Sequence, residues 1–310
     1  MSALSLPDLG NTGALFALIL VAGFIAGKTG FLSKESQIGM TNLVLYITLP
    51  CTIFNSFKVD YEPSLLRGFV FTLLLAACAQ AIGQIASLVF FRKQPHEKRT
   101  ILRYGLIVCN SGFFGISVLF AVLGNPALSF GAIYLIPQRF AMWILGIPVF
   151  TDDKTNPGSV ALKTLVHPSM IACYIGLTLM FTRTSVPAAI AAPLSVLGLC
   201  TMPLSMLLVG SVMVEIKPSL FLDRQVYFYC LIRLVMIPGL IFLICLLLGL
   251  GGDILHVSVL MAGMPSAMTA SLLALRYGAD ERFSSALIVV STIMFFVMLP
   301  VWMSLFLLVP

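Results

Sequence analysis

The sequence predicts an all-α membrane protein with ten transmembrane helices in two inverted five-helix repeats, in which helices 4 and 9 are broken and cross. Three observations carry this expectation. Hydrophobic residues make up 59% of the 310 positions and charged residues 10%, with a mean hydropathy of +1.05, too little polarity to clothe a water-soluble fold. Landmarks recur at matched spacing: Pro50 to Ser111 is 61 positions and Pro203 to Pro265 is 62, Asn110 to Gly124 and Met264 to Gly278 are both 14, and Gly23 and Gly176 lie 153 apart. Glycine and proline interrupt two apolar runs, near Asn110 and at Pro265, at equivalent places in the two halves.

A spanning helix needs about 20 apolar residues. Taken in order, the spans fall at 12–30, 37–57, 64–91, 99–123, 128–150, 160–181, 187–213, 224–250, 254–277 and 283–308. Each ends at a short turn marked by glycine, proline or charge, such as Gly30, Pro63, Gly124, Pro187 and Gly278. The first repeat covers 1–150 and the second 160–310. Five is odd, so the second half enters the membrane from the opposite side, and the pseudo-twofold axis lies in the membrane plane. No polar stretch is long enough for an appended soluble domain. Met1 to Gly10 lacks the basic start of a cleaved signal peptide, so span 1 is expected to be retained.

Lysine and arginine set the orientation. Of the 18, thirteen lie at the ends of odd-numbered spans that face Lys28, Arg92 and Lys154, whereas the other side holds Lys58, Arg67 and Arg183. The positive-inside rule then puts both termini outside and 151–158 in the cytoplasm of a cell whose inner membrane carries the protein. The net charge of +6 is accounted for by this bias and gives no reason to expect nucleic acid. The seven cysteines all fall within spans, in odd number and without paired spacing, as small core residues do. No metal or other cofactor is expected.

The stretch VSVLMAGMPSAMTASLLALRYG (Val257–Gly278) reads as a helix that breaks at Gly263 and Pro265, because proline removes a backbone donor and clashes with the preceding turn. The half-helix beyond would present the amides of Ser266, Ala267 and Met268 at mid-membrane, where irregular backbone is tolerated only against protein or a water-filled cavity. A kink that serves packing alone is the plainer reading. The matching break, CNSGFFGIS (Cys109–Ser117), offers Asn110 and Ser111 as polar side chains and is weakened by Gly112 and Gly115. Two such breaks near one point suit a carboxylate. Candidate substrate-binding residues are therefore Asn110, Ser111, Gly112, Pro265, Ser266 and Thr269.

These motifs, with LVLYITLPCTIF (Leu43–Phe54), TMPLSMLLVGSVM (Thr201–Met213) and GMPSAMTASLLALRYGADERFSSALIVVSTIMFFVMLPVW (Gly263–Trp302), resemble the auxin efflux carrier family in its short prokaryotic form, over nearly the whole chain. The resemblance implies a fold related to bile acid and sodium symporters. It also implies a scaffold of helices 1, 2, 6 and 7, a mobile transport unit of helices 3–5 and 8–10 that works as an elevator, a substrate at the crossing of helices 4 and 9, and a homodimer. Where family members often carry proline late in the helix 4 motif this chain has Ser117, so a gentler break is expected there.

Polar residues inside spans complete the candidate set. Arg139 in span 5, beside Gln138, and Arg233 in span 8 are the intramembrane cations, and each costs roughly 2.5–3.5 kcal/mol at a bilayer centre, so neither is expected to face lipid. They read either as a cationic lining for an anion or as structural groups bonded to helix-end carbonyls. The repeat pairs Arg233 with Gln80, and Arg139 with Ser291 or Thr292. Gln80 and Gln84 share a face of span 3 and serve either the site or an interhelical bond. His167 and His256 lie near span ends; Thr52 and Asn55 could line the scaffold face, where Pro50 and Pro203 kink their helices. No acidic residue falls near a span centre, and no nucleophile or metal motif is present, so an enzyme is not expected. The resulting expectation is a secondary carrier exporting a small organic anion such as a carboxylate, with a membrane sensor or channel on the same fold as the alternative.

Overall fold

The computed structural model describes residues 6–58, 63–146, 148–151, 162, 165–215 and 223–308. Among these the regular structure is entirely helical, and the chain divides into two compact units. The helices in order are α1 Leu6–Lys28, α2 Lys34–Leu43, α3 Leu49–Ser56, α4 Pro63–Phe90, α5 His96–Ile107, α6 Ile116–Leu123, α7 Asn125–Ala141, α8 Pro148–Thr151, α9 Pro168–Thr182, α10 Ala188–Leu199, α11 Thr201–Val212, α12 Arg224–Cys230, α13 Ile237–Leu247, α14 Gly252–Ala262, α15 Thr269–Tyr277 and α16 Glu281–Phe306.

Among the described residues, six helical stretches are long and apolar enough to cross a membrane: 34–56, 65–90, 125–150, 188–212, 224–247 and 282–306. They coincide with predicted spans 2, 3, 5, 7, 8 and 10. Spans 1 and 6 correspond to the shorter apolar helices 17–28 and 168–182, while span 9 begins with 252–262 and is cut off there by the break. Within the long stretches, wide π-turns sit two residues ahead of a proline: Val44–Thr48 before Pro50, Met142–Gly146 before Pro148 and Leu231–Met236 before Pro238. Proline cannot donate to the carbonyl four residues back and its ring crowds that carbonyl, so one extra residue in the preceding turn relieves the clash without ending the helix.

The first unit comprises 1–69, 112–133 and 165–214. Its tightest seam joins α1 to α11. A Cβ on Gly23 would lie 2.2 Å from the Leu207 carbonyl oxygen, and one on Gly210 would lie 2.1 Å from that of Leu20, so the two backbones touch where only glycine fits. Helix α3 packs on α9 and α10, with Gly176 against the Phe57 ring and Gly198 against Thr52 and Asn55. The second unit comprises 70–111, 134–164 and 215–310. Fully buried Tyr104, Tyr229 and Phe283 lie in its core, and the Trp302 indole donates to the Leu234 carbonyl at 3.1 Å, which ties α16 to the π-turn ahead of α13.

Candidate functional site

The interrupted backbone at 108–111 and that at 263–268 lie in the second unit and pair with each other. Helix α5 stops at Ile107, and Val108 continues in extended conformation (φ −119°, ψ 114°). Helix α14 stops at Ala262, its last turn closed by Gly263. The two interrupted stretches meet as an antiparallel bridge between Cys109 and Ser266, and the Asn110 amide donates to the Pro265 carbonyl at 2.8 Å. The irregular backbone is thereby satisfied in part by protein, the condition for non-helical chain inside a bilayer. The chain then re-enters helix through a π-turn at Ser111–Gly115 and α6 on one side, and through α15 on the other.

One of the three amides expected to be free is taken. The Ser266 amide donates to Ser291 Oγ at 3.1 Å, because α16 lays a small polar pair, Ser291 and Thr292, both buried, against the break. The Thr269 hydroxyl, at the start of α15, lies 2.7 Å from the Tyr104 hydroxyl. Gly105 makes room for the rest: a Cβ there would stand 2.9 Å from the Tyr229 hydroxyl and 3.1 Å from Ser266 Oγ, and the Tyr229 hydroxyl donates to the Gly105 carbonyl at 2.9 Å.

Asn110 stands apart from this network. Its side chain is 2% exposed, and neither Oδ1 nor Nδ2 has a hydrogen-bond partner among the described residues. A buried carboxamide left unbonded costs on the order of 1–3 kcal/mol. Nearby, Gln138 Nε2 donates to the Cys109 carbonyl at 2.6 Å while its Oε1 is buried without a donor, and Gln80 Oε1 on α4 is in the same condition. Ser111 is fully buried, its hydroxyl 2.7 Å from Cys109 Sγ. Gln84 is half-buried one turn beyond Gln80. Gly112, the next candidate along, lies within the π-turn.

The two arginines have different surroundings. Arg233 is 2% exposed and its guanidinium is engaged by backbone: Nε donates to the Met264 carbonyl and Nη1 to the Leu106 carbonyl, both at 3.0 Å. These carbonyls lie at the C-terminal ends of α14 and α5, where helix dipoles concentrate negative charge, so a cation is the group that position favours. Of the two readings open from sequence, this geometry is that of the helix-end group. Arg139 is 8% exposed and lies within electrostatic reach of the Tyr104 hydroxyl, beside the Thr269 contact.

The first unit contains a pocket of about 360 Å³, lined among others by Thr52, Asn55, Lys58, Ser117, Ser195 and Thr201. The Thr52 hydroxyl donates to the Gly198 carbonyl at 2.9 Å, Asn55 Nδ2 donates to the Leu194 carbonyl at 2.8 Å, and Lys58 Nζ lies 3.4 Å from Ser195 Oγ. Thr52 and Asn55 were anticipated as lining residues. In sequence Lys58 bears only on topology, and nothing beside it distinguishes it from an interfacial lysine. Gln138, Tyr104 and Tyr229 were likewise not singled out. Gln138 stands next to Arg139, whereas the two tyrosines carry no signal besides their place, six residues before Asn110 and four before Arg233. No cluster of side chains suited to a metal ion occurs among the described residues.

The sequence profile of the family described as membrane transport protein matches the chain twice in succession, at residues 14–157 and 154–303. The chain therefore belongs to that family, the auxin efflux carrier family of membrane transporters, in its short form. It is 25% identical over 299 residues to an uncharacterized transporter of Methanocaldococcus jannaschii, covering 93% of this chain and 96% of that protein. An uncharacterized transporter of Methanothermobacter thermautotrophicus is 26% identical over 307 residues, covering 95% and 98%. A protein of Rhizobium meliloti named "Putative malonate transporter" is 21% identical over 296 residues, covering 90% and 89%.

Proposed function

We propose that this membrane transporter is a secondary carrier for a small organic anion, with the paired breaks as its recognition site. The observation that carries the reading is the Asn110 carboxamide, buried at the meeting of two interrupted helices with donor and acceptor both unused. Such a group is stabilised by a ligand that supplies the missing bonds. Ser111, Gly112, Pro265, Ser266 and Thr269 form the surrounding backbone and hydroxyls, with Gln80 and Gln84 on the neighbouring helix face. Arg139 supplies positive charge, while Arg233 holds the helix ends in place. The relative named for malonate supports a carboxylate, and a short dicarboxylate is the species to try first.

The working cycle we propose has ten spans in two inverted repeats, 1–150 and 160–310, with helices 1, 2, 6 and 7 as scaffold and helices 3–5 and 8–10 moving as an elevator within a homodimer. The division of the chain supports part of this, since one unit gathers 1–69 with 165–214 and the other gathers 70–111 with 215–310; the segment 112–133 groups with the former. The protein would sit in the cytoplasmic membrane with both termini outside and export its anion. No enzymatic step is part of this reading.

The test is a thermal-shift screen of the purified protein against mono- and dicarboxylates, with malonamide as a neutral analogue, since a ligand of the folded state raises its unfolding temperature. Malonate-sized acids should stabilise the wild type, and Asn110→Leu should abolish the shift while the ligand-free protein melts within about 2 °C of the wild type or above it. Equal stabilisation of the Leu variant would remove Asn110 from the site, and a response to malonamide matching that to malonate would rule out the anion.

A further inference from the structure

The turn between α4 and α5 carries positive charge that the carrier cycle does not use. Arg92, Arg99 and Arg103 line a groove of about 600 Å³ together with Ser87, Leu88 and Val89. Arg99 and Arg103 are four residues apart on one face of α5, and Arg92 reaches the groove from the turn. Among the described residues no carboxylate lies within ion-pair distance of any of the three; the ion pair close by, Lys98 with Asp223 at 2.7 Å, leaves them out. Arg103 Nε is buried with no acceptor, and the Ser87 hydroxyl is occupied by the Gln84 carbonyl at 2.7 Å. Three guanidinium groups around one hollow repel one another unless an anion sits among them.

The surface leading to the groove is apolar and uncovered. Ile85 is 61% exposed, Leu88 44% and Val89 60%, and they fall at i, i+3 and i+4 of α4, a single apolar stripe that ends at the groove. Guanidinium forks match phosphate oxygens bidentately, and basic groups at the ends of membrane helices attract anionic lipid headgroups. A free inorganic anion would use the arginines and leave the stripe bare. We propose that this groove binds an anionic phospholipid, with its headgroup phosphate among Arg92, Arg99 and Arg103 and an acyl chain along Ile85, Leu88 and Val89.

The test uses the delipidated full-length protein, with phosphatidylglycerol, phosphatidylcholine of equal chain length and inorganic phosphate as separate additions. The readouts are unfolding temperature and lipid retained in native mass spectrometry. Phosphatidylglycerol should raise the unfolding temperature and remain bound, while the other two leave both unchanged. Each Arg→Gln substitution should weaken it by about fivefold, cumulatively in the triple variant, and the triple Arg→Lys variant, which keeps the charge and loses the bidentate forks, should bind more weakly than wild type and more tightly than the triple glutamine variant. Arg92→Gln, at an exposed turn position, gives a reading on its own where the triple variant does not fold. Phosphatidylcholine binding as well as phosphatidylglycerol, inorganic phosphate reproducing the shift, or the glutamine variants binding like wild type would each overturn the proposal.

Discussion

A guanidinium bonded to two helix-end carbonyls has little left to offer a ligand, and Arg233 is held in this way. Removing Arg233 strands the Leu106 and Met264 carbonyls, each worth roughly 1–3 kcal/mol when buried and unpaired. Arg233→Gln is therefore expected to lower folding stability by about 2–4 kcal/mol, seen as a large drop in unfolding temperature. Arg139→Gln should reduce the response to organic acids at least tenfold. The assignment of roles fails if Arg233→Gln melts like the wild type and loses only its ligand response. Both arginines were visible in the sequence as costly intramembrane cations. That Arg233 is bonded to backbone was not visible, because the carbonyls that accept from it stand 31 and 127 positions away.

At the scale of elements, the break at Pro265 is the feature most readily tested. Pro265→Ala restores the missing donor and lets α14 run toward α15, drawing the Ser266 region into intrahelical bonds and undoing the Cys109–Ser266 pairing. Membrane insertion and expression should persist while affinity for the acid falls, measured by the same thermal shift; unchanged affinity would leave the break a packing kink. A second element test concerns α12. Asp223 caps it by accepting the Gln225 amide at 2.9 Å and pairs with Lys98. Burial pushes its pKa up, but the bonds from Lys98 and the Gln225 amide outweigh that and hold it below the ordinary value of 3.8. A depressed folded pKa means the carboxylate stabilises the fold above about pH 4, and that this contribution fades as pH falls through the folded value. Asp223→Asn keeps the cap and loses the charge, so its thermal deficit should be present at pH 7 and shrink below pH 4. Span positions were legible because hydropathy and punctuation are local: 187–213 was expected and 188–212 is found, 283–308 against 282–306. The pocket was legible only in part, since Thr52, Ser117 and Ser195 come together from three distant segments and polarity alone does not say which side chains converge.

For the whole molecule, the consequence of the anion reading is electrical. A carboxylate crossing without a coupled cation carries negative charge, so proteoliposomes on a solid-supported membrane should give a current whose sign reverses with the acid gradient and which is absent with malonamide. A saturating concentration dependence is expected of a carrier; current that rises without limit would indicate a channel. Arg233 has one further effect, of a mechanical kind. Its single planar group fastens the end of α5 and the end of α14 at 3.0 Å each, a join stiffened by the backbone bond from Asn110 to Pro265. The two interruptions, far apart in the chain, are thus one rivetted part: a push on either is delivered to the other without slack, and neither can advance along its own axis alone.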